Sequence, residues 1–139
     1  MKNILLKNLL FLLLLSLYAN GASSAFIKKY NYENNYSKAL EKAKSTNKPI
    51  MLILSTKTCA WCRKLERQTL KKDFIHNIVK DKFIPLTLDR DNDTYPKKFT
   101  AKVVPTIYFI NPKDETIIFV SYGYKNKRDF NNILLEVNK

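Results

Sequence analysis

Cysteine and histidine are scarce in this chain: 139 residues hold two cysteines, Cys59 and Cys62, and one histidine, His76. A zinc site takes about four ligands, which these three side chains do not supply, so no metal is expected. A c-type haem attachment needs histidine directly after the second cysteine, where this chain has Arg63. No cysteine stands near residues 19–25, which excludes a lipoprotein anchor at that point. Acid is also short, with 12 Asp and Glu against 25 Lys and Arg, a formal charge of +13. Lys2 and Lys7 carry two of those charges, so residues 26–139 retain +11. Such a surplus is either a solvated lysine-rich surface or an attraction toward anionic lipid or acidic proteins. The lysines are scattered along every segment rather than clustered with stacking aromatics, which argues against nucleic acid. Neither repeats nor a disordered composition is present, and 45% hydrophobic content suffices for one globular core.

What is there centres on the stretch Ile50 to Cys62. Met51 to Leu54 is an apolar run of strand length, Ser55 to Thr58 a polar loop, and the two cysteines follow at i and i+3 where a helical pattern begins. This places Cys59 at a helix N-terminus, where free backbone N–H groups stabilise a thiolate, with Cys62 one turn inside and near enough to close a disulfide. Closing so short a loop removes little chain entropy, so the pair is expected to serve redox chemistry rather than to staple the fold.

Residues 1–25 have the layout of a secretory signal: Lys2 and Lys7, an apolar run Leu9 to Leu17, then small and polar residues from Ala19 to Ala25. The run is too short to span a bilayer comfortably. Cleavage after Gly21 or after Ala25 suits a signal peptidase, and an uncleaved N-terminal anchor is the alternative. Either way residues 26–139 are expected in a periplasmic or otherwise exported compartment where disulfides persist.

Asn35 is a candidate N-cap for a helix with Tyr36, Ala39, Leu40 and Ala43 on one face, stopped by Asn47-Lys48-Pro49. Tyr30, Tyr32 and Tyr36 are expected to pack a lead-in segment on the sheet. Beyond the cysteines a helix runs from Arg63 to Leu70, and Asp73 is expected to cap another carrying Phe74, Ile75, Ile78 and Val79, with His76 off that face and solvated. Phe83 to Leu88 is the next strand. The loop Asp89 to Asp93 resembles a calcium loop in its alternating acids, yet Thr94 stands where glycine is needed and Thr100 where glutamate is needed, so it is read as solvated. A short helix is expected at Tyr95 to Phe99. Strands Thr106 to Ile110 and Ile117 to Tyr122 form an antiparallel hairpin across Asn111-Pro112-Lys113-Asp114. Gly123 breaks the second strand, and Phe130, Ile133, Leu134 and Val137 mark the core face of a final helix.

This order predicts an α/β sandwich with a central mixed sheet flanked by helices. The chain resembles the thioredoxin-like superfamily on Cys59-Ala60-Trp61-Cys62 after the strand Met51 to Leu54, Val104-Pro105-Thr106 before the next hairpin, and Gly123 before the last helix. Cys59 to Leu65, with Lys48-Pro49-Ile50 upstream and Leu88-Asp89 downstream, is similar to exported single-domain proteins related to the C-terminal domain of the DsbD reductase. The resemblance covers residues 26–139 and implies a three-layer thioredoxin-like sandwich. It implies that Cys59 is the nucleophile, Cys62 the resolving thiol, and Pro105 cis, with the Val104 backbone pairing to an extended substrate. Trp61 is either part of the partner-binding rim or simple surface packing. Thr58 replaces the usual Trp before the first cysteine and Ala60-Trp61 the usual Gly-Pro. The buried acid six residues before the first cysteine is Ile53, and its lysine partner Pro85.

The expected function is that of an exported thiol-disulfide oxidoreductase acting on protein disulfides, monomeric and without a cofactor. The absence of histidine between the cysteines favours the reducing direction, which requires an electron donor at the membrane. A disulfide-forming oxidant of the same compartment and a non-catalytic binding module on the same fold remain as alternatives. Broad isomerase activity usually needs a dimerisation domain, for which this chain has no room.

Overall fold

The computed structural model describes residues 24–139. The expected leader falls outside them except for Ser24 and Ala25, which open helix α1 (Ser24–Tyr30). Helix α2 (Tyr36–Thr46) follows, then strand β1 (Ile50–Ser55). Helix α3 (Ala60–Leu65) runs on into a π-helical turn (Glu66–Leu70), followed by α4 (Asp73–Lys82) and β2 (Ile84–Asp89). Strands β3 (Thr106–Ile110) and β4 (Ile117–Tyr122) and helix α5 (Lys127–Val137) complete the chain.

The four strands form one mixed sheet in the order β2-β1-β3-β4. β1 pairs parallel with β2, Leu52 beside Leu86, and antiparallel with β3, Leu52 beside Tyr108. All six residues of β1 are buried because both faces of the sheet are covered. Successive side chains alternate between them. Met51 and Ile53 enter a core with Phe26, Leu65, Ile75, Phe109 and Phe130; Ile50, Leu52 and Leu54 enter another with Tyr36, Ala39, Leu86, Phe99 and Tyr108. The result is a four-stranded mixed sheet flanked by five helices, a thioredoxin-like α/β fold.

Local chemistry explains the element ends. Asn35 caps α2 by accepting the Lys38 N–H at 3.0 Å, and Asn47 closes it in the left-handed region at φ 53°. Pro85 is tolerated inside β2 because its side of the strand faces Glu33 and not β1. Its carbonyl accepts the Glu33 N–H at 2.8 Å, and the Glu33 carbonyl accepts from Thr87 at 3.0 Å. The missing N–H therefore interrupts only this short bridge at the sheet edge.

Four sequence expectations need correction. Tyr95 to Phe99 is irregular: the residue before a proline disfavours the helical region, and Tyr95 instead donates its hydroxyl to the Arg90 carbonyl at 2.8 Å. Lys72, not Asp73, occupies the cap of α4 and makes no side-chain cap bond, while Asp73 lies in the first turn, where its charge suits the helix dipole. Phe74 is exposed rather than packed. His76 is half-buried with its ring 5.0 Å edge-on to Tyr30, because α1 covers that flank.

Candidate functional site

The parallel and antiparallel registers bring four loops to one end of the sheet. Ser55 ends β1 beside Asp89 of β2, while Leu54 faces Thr106, the start of β3, which in turn faces Tyr122, the end of β4. The cysteines leave β1 at this end. The loop from β1 is tied down by Arg90 N–H donating to the Ser55 carbonyl at 2.8 Å and Cys59 N–H donating to that of Thr56 at 3.2 Å.

Cys59 and Cys62 are joined by a disulfide with their Cα atoms 5.2 Å apart. Cys59 is the N-cap of α3, and its Sγ accepts the Cys62 backbone N–H at 3.0 Å. An unpaired donor at a helix start is thereby aimed at the sulfur, the arrangement that favours a thiolate once the bond is reduced. Cys59 is 8% and Cys62 4% exposed, so the oxidised pair is well shielded from bulk solvent. Arg63 Nη1 reaches the Lys57 carbonyl at 3.4 Å, drawing two cations to the same loop.

The Val104–Pro105 peptide is cis. Pro105 is buried, Val104 half-buried, and Val103 51% exposed. Thr106 Oγ1 donates to the Val103 carbonyl at 2.7 Å, and Gly123 N–H to the Pro105 carbonyl at 2.8 Å. Gly123 holds φ at 73°, a left-handed turn that glycine adopts without the side-chain penalty. Among the described residues no partner takes the backbone N–H or carbonyl of Val104. Trp61, between the cysteines, is 56% exposed and lies 5.8 Å, centre to centre, from Tyr124.

Ile53 is buried and flanked by Thr87, while Pro85 stands beside Met51, so neither Ile53 nor either of these neighbours is ionisable. The carboxyl near the site comes from the helix instead. Glu66 is 8% exposed, four residues beyond Cys62, and its N–H is bonded to the Cys62 carbonyl. Burial raises its pKa, against the lowering pull of Lys71 and Arg63. It faces Tyr32, whose hydroxyl is buried without a hydrogen-bond partner and whose pKa is raised by desolvation and by the Glu66 charge. Sequence reasoning missed Glu66 and Tyr124. The signal for Glu66 was its spacing: Cys62, Glu66, Thr69 and Leu70 share one inward face, and a lone acid there has no water to turn to. His76 lines a cleft with Phe83, Ile84 and Pro85, at the opposite end of β2 from the cysteines.

In sequence the chain is similar to anterior gradient protein 3 of Xenopus tropicalis, with 26% identity over 98 residues, 70% of this chain. The chain spans 60% of the length of that relative, and 7% of another curated protein that it matches. Among solved structures a thioredoxin from Thermus thermophilus superposes with a TM-score of 0.66 at 18% identity, covering 76% of this chain and 85% of the other. The oxidised C-terminal domain of DsbD from Neisseria meningitidis gives 0.60 at 19% identity, covering 87% of this chain and 100% of that domain. Residues 31–112 match the family model described as thioredoxin-like, more than half of the chain, which therefore belongs to the thioredoxin-like family.

Proposed function

We propose that this chain is an exported thiol-disulfide oxidoreductase that reduces disulfides of extracytoplasmic proteins. The observation that carries the proposal is the Cys59–Cys62 disulfide at a helix start, with the Cys62 N–H aimed at Cys59 Sγ. Reduced, Cys59 attacks one sulfur of a partner disulfide; a Cys59–partner bond forms, the partner's own bond breaks, and its second sulfur leaves as a thiolate that takes a proton. Cys62 then loses its proton and attacks Cys59 Sγ, breaking the mixed disulfide and releasing the first partner sulfur. Two electrons have passed to the substrate, and a dithiol donor at the membrane must restore them. Glu66, one turn along the helix from Cys62 and held toward its protonated form by burial, is the residue proposed to receive the Cys62 proton. The free backbone of Val104 offers a donor and an acceptor to an extended partner segment.

For export, cleavage after Gly21 leaves α1 whole, whereas cleavage after Ala25 sets a charged amino group on Phe26, which is 2% exposed. We therefore place the mature start after Gly21.

Cys62→Ser tests the function in cells. Mixed disulfides that depend on Cys59 and disappear in the double variant support it. A variant that traps nothing leaves a binding module on this fold. The direction follows from acid quenching and mass-tag alkylation of intact cells: free thiols at Cys59 and Cys62 agree with a reductase, whereas a disulfide that persists until a cellular oxidase is deleted overturns that direction.

A further inference from the structure

The Lys64 ammonium lies 4.7 Å from the centre of the Trp61 ring and 4.8 Å from that of Tyr124, the two rings being tilted by 39°. One cation is thus shared between two aromatic faces, two residues beyond Cys62. Tyr124 is fixed from behind. The Tyr124 hydroxyl donates to Gln68 Oε1 at 3.1 Å, and the adjoining loop is held where Thr69 Oγ1 donates to the Lys125 carbonyl at 2.7 Å.

A cation over rings is positioned without being neutralised. Among the described residues no ion pair involves Lys64, nor Lys57, Arg63, Lys102 or Lys125, which stand around the same loops. The acids at this end are half-buried Asp89, which ends β2, and exposed Asp91 and Asp93 in the loop after it, on the far side of β1 from β3 and β4, while Asp129 in the first turn of α5 is paired with Arg128 and accepts from Asn126 Nδ2. They are also engaged: Asp89 accepts the backbone N–H groups of Asp91 and Asn92, Asp91 pairs with Arg90, and Asp93 accepts the Asp89 N–H. The disulfide therefore sits between an acidic flank and a basic flank, and the basic flank also exposes Trp61 and Tyr122, each 56% exposed.

We infer that Trp61, Lys64 and Tyr124 form a docking ledge for a protein partner whose reactive cysteine is flanked by Asp or Glu. The carboxylate meets Lys64 while an adjoining apolar side chain covers Trp61. The inference rests on the oxidoreductase reading and narrows its substrates. Because the ammonium is already held in place, a partner carboxylate orders little additional side chain on binding.

The test uses the reduced mature chain and three disulfide-linked peptides that differ only in Glu, Gln or Lys beside the cysteine. The Glu peptide should react about ten-fold faster than the Lys peptide at low salt, and the gap should narrow at high salt. Lys64→Arg should keep that order and Lys64→Glu should invert it. Equal rates for the three peptides, or an order that Lys64→Glu leaves unchanged, would overturn the ledge. So would Lys64-dependent flotation on phosphatidylglycerol vesicles with peptide preference absent, which would assign the patch to a membrane. If no peptide forms a mixed disulfide with Cys59, the oxidoreductase reading itself fails and the ledge with it.

Discussion

The backbone N–H of Glu66 is bonded to the Cys62 carbonyl, which sets a buried acidic residue one helical turn along the chain from the thiol that would resolve a mixed disulfide. The same chain has Ile53 at the strand position where the resembling family keeps its acid. The buried acid of this chain is thus on the helix that carries the cysteines rather than on the strand that precedes them.

Glu66→Gln separates chemistry from stability. The variant should slow resolution of the mixed disulfide by roughly 10²-fold, the ordinary worth of a positioned proton acceptor, while leaving attack by Cys59 nearly unchanged. Stability should move the other way. Burial holds the folded carboxyl above its ordinary value of 4.5, so the native state favours the protonated form; that contribution is fully present below 4.5 and lost as pH rises through the folded value. The Tm of the variant should therefore exceed that of the parent at neutral pH, with the gap closing toward pH 4.5. A gap that widens on acidification would show the carboxylate to be stabilised as an ion.

Tyr32→Phe should stabilise the fold by about 1 kcal/mol, because the hydroxyl it removes is buried without a partner. It should also flatten the alkaline limb of the stability curve. Burial holds the folded phenol protonated above its ordinary value of 10.0. Its contribution is thus complete below pH 10.0 and lost above it, as the unfolded chain releases the proton and the folded chain does not. Urea midpoints for both proteins across that range would settle the point; equal slopes would mean that the phenol finds a partner.

How much of this was legible depended on how local the signal was. Met51 to Leu54, the Asn35 cap and the Asn111–Asp114 turn are written in runs of a few residues, and β1, α2 and the β3–β4 hairpin follow from them. Cys59 and Cys62 were legible for the same reason. Tyr124 was not, because its meeting with Trp61 depends on the left-handed turn at Gly123 and on a bond from Thr69 to a loop 56 residues away. Helix α1 was hidden by the leader pattern that overlaps its first turn, and its three-dimensional role, covering His76 through Tyr30, is a tertiary contact. The short helix expected at Tyr95 to Phe99 does not form because Pro96 disfavours the helical region at Tyr95.

Phe26→Ala measures what α1 contributes. Phe26 is 2% exposed and its ring lies 5.0 Å from Tyr30 and 4.8 Å from Tyr32. Truncation should cost about 3–5 kcal/mol, in the range for large core aromatics. Native-state proteolysis should then cut first near Asn31, the left-handed residue that joins α1 to the sheet-edge bridge. A loss below about 1 kcal/mol would mean that the helix is an ornament on a domain beginning at Tyr32.

The assignment of nucleophile and resolving thiol rests on an asymmetry small enough to need its own measurement. Cys59 is twice as exposed as Cys62, at 8% against 4%, and only Cys59 Sγ is the acceptor of a backbone N–H across the pair. Both differences act in one direction: the donor favours Cys59 as the thiolate, and exposure favours its collision with an electrophile. In the fully reduced chain a limiting dose of iodoacetamide should therefore label Cys59 about ten-fold ahead of Cys62, read by peptide mass spectrometry. Moving the electrophile's size should sharpen the ratio, since a bulkier reagent is excluded from Cys62 first. Labelling in the reverse order would exchange the two roles: Cys59→Ser, not Cys62→Ser, would then accumulate mixed disulfides, and Glu66 would stand behind the attacking sulfur.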